Sequence, residues 1–174
     1  MKVIVARSNW RVPFRENLAI SSTDNYHGFT PLRMLMRHCY GYDADKDVET
    51  ALSKTPACGI TVLGHLSPKL FIVEKTKDIQ RLKELAHALV QAADDNQVQH
   101  LLVCSFDSCF KLNPAIIEAV IDGFLNFGDA RAIQRVTIPL SSEDNYHKAR
   151  DVLSRLQYNT IMKKYKRDEK GLRN

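Results

Sequence analysis

Residues 136–156 read Val-Thr-Ile-Pro-Leu-Ser-Ser-Glu-Asp-Asn-Tyr-His-Lys-Ala-Arg-Asp-Val-Leu-Ser-Arg-Leu, and this run decides the fold class. Val136-Thr137-Ile138 is a β-branched strand. Ser141, with Asp144 three residues on, opens a helix as a capping pair does. Tyr146, Ala149, Val152, Leu153 and Leu156 then recur at helical spacing and give that helix one apolar face. The same strand–helix order runs upstream. Leu101-Leu102-Val103-Cys104 is a continuous apolar run, as a strand buried on both faces requires. Asn113-Pro114 is a cap and first-turn pair for a helix carrying Ile117, Val120, Ile121, Phe124 and Leu125, closed by Gly128. Before it, Thr76 caps a helix with Ile79, Leu82, Ala86, Leu89, Val90 and Ala93 on one face, ending in Asp94-Asp95-Asn96. Strands separated by helices imply a parallel core with right-handed crossovers.

Working toward the N-terminus, Val3-Ile4-Val5 and Leu18-Ala19-Ile20 read as strands, with Pro13 between them. Thr30-Pro31 starts a helix carrying Leu32, Leu35, Met36 and Cys39, ended by Gly41, and a short helix covers 47–52. Two apolar runs, 60–63 and 70–73, flank Gly64-His65-Leu66-Ser67-Pro68-Lys69, which suits a hairpin. With no linker and no low-complexity segment, the expectation is one α/β domain over 1–160, followed by a basic C-terminal tail over 161–174.

The bulk composition excludes several classes. A chain of 174 residues, 44% hydrophobic and 26% charged, is that of an ordinary globular protein. No stretch approaches the roughly 18 apolar residues of a membrane span. The opening Met1-Lys2-Val3-Ile4-Val5-Ala6 is too short for a signal-peptide core, so a cytoplasmic protein without a membrane partner is expected. Of the net charge of +5, residues 163–174 supply six positive and two negative side chains, a balance of +4. Such a tail favours approach to nucleic acid or other anions, with solubility as the plainer role. The four cysteines (Cys39, Cys58, Cys104, Cys109) and six histidines follow no metal spacing, and neither a metal nor a cofactor is expected.

One local self-similarity remains. Ser21-Ser22-Thr23-Asp24-Asn25-Tyr26-His27 and Ser141-Ser142-Glu143-Asp144-Asn145-Tyr146-His147 agree at six of seven positions, and each follows an apolar strand. Capping and local hydrogen bonding account for the Ser, Asp and Asn content but less well for the shared Asn-Tyr-His ending. In a parallel sheet, loops after the carboxyl ends of strands line the binding crevice. Both copies belong to such loops, as does Ser105-Phe106-Asp107-Ser108-Cys109-Phe110. The candidate contacts are therefore Ser22, Asp24, Ser105, Phe106, Asp107, Ser108, Asn145 and His147, a set suited to a polyhydroxylated ligand with a flat base. His27 and His147 are candidates for acid–base work. No elbow glycines, phosphate loop or Gly-x-Gly-x-x-Gly accompanies any strand.

The order of elements, with three segments in particular, resembles a divergent macrodomain, the fold that binds ADP-ribose. Ala19-Ile20-Ser21-Ser22-Thr23-Asp24-Asn25 is similar to the family's Ala-Ile-Val-Asn-Ala-Ala-Asn motif and keeps its last residue. The family's helix ending Arg-Ala-Ala-Gly corresponds to one ending His38-Cys39-Tyr40-Gly41. Its closing strand, acidic run and final helix resemble 136–156. The resemblance implies a three-layer mixed sheet with helices on both faces, a nucleotide ligand of ADP-ribose type, and ADP-ribosyl hydrolysis as the associated activity. It assigns Asn25 as the catalytic candidate, beside the His27 already offered by its loop, and Trp10, Arg11 and Arg33 as further ligand contacts. Trp10 would stack on a base, or serve as a core anchor. The family's early Asp falls near Asn9-Trp10-Arg11, and the helix-opening Asp falls near Arg33. The glycine-rich loop is replaced by Phe106-Asp107-Ser108-Cys109-Phe110-Lys111-Leu112, which denies backbone amides their close approach to a diphosphate. Two alternatives follow from that loss: a non-catalytic interaction protein on the same fold with a protein partner, or a nucleic-acid binder acting through the tail.

Overall fold

The computed structural model describes residues 1–7, 16–21, 37–38, 40–103, 114–128 and 130–171. Six strands, β1 (Lys2–Arg7), β2 (Asn17–Ser21), β3 (Ile60–Leu63), β4 (Leu70–Val73), β5 (His100–Val103) and β6 (Arg135–Leu140), form one sheet in the order β1-β6-β5-β2-β4-β3. Every neighbouring pair is parallel except β3 with β4, which are antiparallel and joined by the hairpin read from the sequence. Four long helices accompany them among the described residues, α1 (Asp45–Cys58), α2 (Ile79–Asp95), α3 (Pro114–Leu125) and α4 (Glu143–Gly171), besides helical residues at 37, 38 and 40 and a 3-10 turn at Tyr42–Ala44.

The central strands are apolar throughout because both of their faces are covered. Leu70, Phe71 and Ile72 of β4 are each 0% exposed, and so are Leu18 and Ala19 of β2. Alternation divides them between two cores. Ala19, Phe71, Leu101, Val103, Val136 and Ile138 meet α2, α3 and α4 on one face. Leu18, Ile20, Leu70, Ile72 and Leu102 meet Val48, Ala51 and Leu52 of α1 on the other. Helices therefore lie on both faces of a mixed sheet, as expected. The packing of α2 on α3 requires a glycine: a Cβ at Gly123 would lie 2.5 Å from the Lys83 carbonyl oxygen and 2.7 Å from the Ala86 Cβ.

Several boundaries differ from the sequence reading. The helix expected over 47–52 runs as α1 from Asp45 to Cys58. Only Val48, Ala51 and Leu52 show apolar periodicity, so the continuation through Pro56 left no pattern to read. The cap of α2 is Asp78, whose carboxylate accepts the Arg81 N–H at 2.8 Å, while the Thr76 hydroxyl accepts the Asp78 N–H. The shift leaves Ile79 at the exposed start of the helix, outside the core. The last strand extends to Leu140, so the cap of α4 moves to Ser142, whose hydroxyl accepts the Asn145 N–H, and Asp144 instead pairs with Lys148. The α3 helix ends at Leu125, three residues before Gly128. The expected basic tail over 161–174 continues α4 as far as Gly171. Gly41, with φ +79°, ends the helical turn of Arg37, His38 and Tyr40 as read from the sequence. The helix start at Thr30-Pro31, Cys39 and Cys104 lie outside the described residues.

Asp94, which the sequence offers only as part of a polar helix end, is buried at 6% exposure. Its carboxylate accepts the backbone N–H groups of Arg131, Ala132 and Ile133 at 3.0, 2.7 and 2.8 Å. It fastens the approach to β6. Those bonds, from Ile133 first and then Ala132, hold the Asp94 carboxyl below the usual carboxylate range.

Candidate functional site

The strand order places a reversal between β2 and β5. These strands are parallel neighbours, with Ala19 paired to Val103. The chain after β5 crosses through α3, on the face of the first core, to reach β6. Among the described residues after β2, Tyr40 and then α1 lie on the opposite face. Adjacent parallel strands whose connections part to opposite faces leave a crevice outside their carboxyl ends, and ligands of open α/β sheets bind there. Three chain segments set out from this edge: 8–15 after Arg7 of β1, 22–36 after Ser21 of β2, and 104–113 after Val103 of β5.

Eleven of the thirteen candidate residues belong to those segments. Trp10, Arg11, Ser22, Asp24, Asn25, His27, Arg33, Ser105, Phe106, Asp107 and Ser108 lie outside the described residues, and the strand ends alone fix where their segments begin. The other two, Asn145 and His147, lie in the first turns of α4, which follows β6 at the same edge. Their environments differ. Asn145 is buried at 3% exposure, whereas the His147 side chain is 60% exposed. Tyr146 between them packs against the core, as its helical spacing predicts, and meets the His147 ring edge-on at 5.3 Å between centroids.

The structure adds two residues that the sequence reading left out. Arg7, the last residue of β1, lies beside Leu140 in register, which brings its guanidinium to Glu143 at 3.3 and 3.4 Å. The same carboxylate faces His147 at 3.8 Å. Arg7, Glu143 and His147 thus form an exposed polar cluster at the carboxyl ends of β1 and β6. A charge closing an apolar strand, and an acid in the first turn of a helix, were the only available signals, and neither gives the pairing. At the far side, Glu74 follows β4 and is engaged by Arg81 at 2.8 Å, which raises the guanidinium pKa further through that hydrogen bond. Among the described residues no group of three or more His, Cys, Asp or Glu converges as metal ligands would, and no helix is long and apolar enough to cross a membrane.

No protein-family model matches the chain, and no curated protein matches it significantly. Solved structures do match. The Oceanobacillus iheyensis macrodomain with MES bound superposes with a TM-score of 0.67 at 11% identity, over 90% of this chain and 92% of that one. The same macrodomain with ADP gives a TM-score of 0.66 at 11% identity, over 83% of this chain and 85% of that one. The Trypanosoma brucei macrodomain in complex with ADP-ribose gives 0.62 at 10% identity, over 84% of this chain and 67% of that one. At such identities the likeness is one of backbone path alone. On sheet order, layering and these superpositions, the chain has a macrodomain-like fold.

Proposed function

We propose that the chain binds an ADP-ribose-related nucleotide in the crevice at the carboxyl ends of β2 and β5. The observation that carries this reading is the parting of the β2 and β5 connections to opposite faces of the sheet, because it opens a crevice at the edge where the candidate segments begin. Structures of the same fold that hold ADP or ADP-ribose support the ligand class. The residues assigned to contact are Asn25, for the ribose, with Trp10 or Phe106 against the base. Arg11 and Arg33 offer charge where the glycine-rich loop is missing.

The finer activity would be hydrolysis of an ADP-ribosyl bond: water attacks the anomeric carbon, the acceptor leaves, and the water's proton passes to a base. His27 is the candidate base. Calorimetry with ADP-ribose and with a cyclic relative tests the binding. Saturable heat is expected, with affinity lowered about tenfold or more in Asn25→Ala, or about 1.4 kcal/mol. Absence of heat with both nucleotides overturns the proposal and leaves the fold as a scaffold for protein contacts.

A further inference from the structure

The last helix changes sides. From 149 to 156 its apolar residues face the domain: Ala149 is fully buried, and Val152, Leu153 and Leu156 pack against the first core. Arg155 reaches Glu118 of α3 at 2.8 Å. Beyond this point a second apolar series begins. Tyr158, Ile161, Met162 and Tyr165 stand at i, i+3, i+4 and i+7 and are 62, 52, 38 and 65% exposed. Leu156 to Tyr158 is a step of two residues, about 200° around a helix that turns about 100° per residue. The second stripe therefore lies on the side turned away from the domain, where the body of the protein does not cover it.

The sequence of this stretch supplies the other half of the pattern. Residues 158–171 contain Lys163, Lys164, Lys166, Arg167 and Lys170 against Asp168 and Glu169, a net charge of +3. The same helix carries these residues, continuing unbroken to Gly171. An apolar stripe on a helix rich in cations is the pattern of a helix that lies in the plane of an anionic lipid surface, its tyrosines at headgroup level. We propose that residues 158–171 dock the protein onto an anionic bilayer surface without spanning it.

Charge and size favour this occupant over others. A second copy would bring two segments of net +3 together, and four side chains fall well short of the roughly 800 Å² per partner that a standard interface buries. A nucleic-acid backbone would engage the cations but leave the apolar stripe in water. A charged lipid surface satisfies both, and its attraction acts within a Debye length of the headgroups.

The test is co-sedimentation of the full chain with two sets of vesicles, one of phosphatidylcholine alone and one of phosphatidylcholine and phosphatidylserine in equal parts. Binding to the mixed vesicles should exceed binding to the neutral ones by at least about tenfold and weaken with added salt. The double variant Ile161→Ser, Met162→Ser should lose about tenfold or more of that binding. Its urea midpoint and its affinity for ADP-ribose should stay unchanged, because both residues lie beyond the packed part of α4. Failure of the wild type to sediment with the mixed vesicles overturns the proposal. So does full retention of binding in the double variant, which would leave only charge attraction. Tight binding to a DNA duplex without vesicle binding assigns the segment to nucleic acid, and a dimer abolished by the double variant assigns it to a second copy; either result overturns the lipid reading.

Discussion

At the amino-terminal end of the strands, polar side chains fasten the chain to itself. Asn17 donates to the His100 carbonyl and accepts the Lys69 N–H at 2.9 Å, joining the starts of β2, β5 and β4. Asp94 gathers three consecutive N–H groups ahead of β6, and Arg135 pairs with Glu16 at 2.6 Å. At the carboxyl-terminal end the Arg7–Glu143 pair is of another kind, its side chains 57 and 63% exposed. One end ties strands together through partly buried hydrogen bonds, and the other displays charge to solvent beside the segments that carry the candidate residues. The division accords with the reversal between β2 and β5, since in open α/β sheets the carboxyl edge at such a reversal is the ligand edge. Polar groups at the amino-terminal edge are used up in folding, while the proposed ligand contacts belong to the other edge.

This contrast can be broken at either edge. Removing the fastening carboxylate in Asp94→Ala strands three N–H groups and should produce the largest drop in urea midpoint, with ADP-ribose affinity unchanged in the folded protein. The pH dependence sharpens the assignment. Because the folded-state carboxyl lies below its unfolded value, its stabilisation is full above about pH 4 and disappears as pH falls through the folded pKa. Wild-type stability should therefore decline in acid more steeply than that of Asp94→Asn, as measured by urea midpoints from pH 7 downward. Asn17→Ala should cost about 1–3 kcal/mol through two lost partly buried bonds, again sparing nucleotide affinity. The smallest effect on stability belongs to the carboxyl edge. Arg7→Ala should change it by less than about 1 kcal/mol, since the pair is exposed. The same variant should weaken ADP-ribose binding, and calorimetry showing a large stability loss with intact binding would remove the distinction between the edges.

How much of this was legible depended on the reach of the interactions. The apolar runs of β2, β4 and β5 could be read because burial on both faces leaves no polar alternation to confuse them. The faces of α2, α3 and α4 could be read from periodicity. Caps were misplaced by one or two residues at Thr76 and Ser141, because Ser, Thr and Asp neighbours compete for the same N–H and only the final backbone geometry selects one. Gly123 gave no signal at all, since the Lys83 backbone that requires it is 40 residues away in sequence. Of the site, the sequence supplied the residue types and the strands they follow. Arg7 and Glu143, 136 residues apart, could be paired only once β1 and β6 were known to be neighbours.

The Ser-Ser-Glu-Asp-Asn-Tyr-His segment shows where the two sources divide. Its sequence determined a strand, a turn and a helix, with Tyr146 turned inward, because those are local consequences of apolar spacing and short polar side chains. Tertiary structure alone decided that Asn145 is buried while His147 stands beside Glu143 in solvent. It likewise decided that Asp94 is a fastening and that the stripe from Tyr158 to Tyr165 faces away from the domain. Periodicity fixes which residues share a face. Only packing fixes what that face meets.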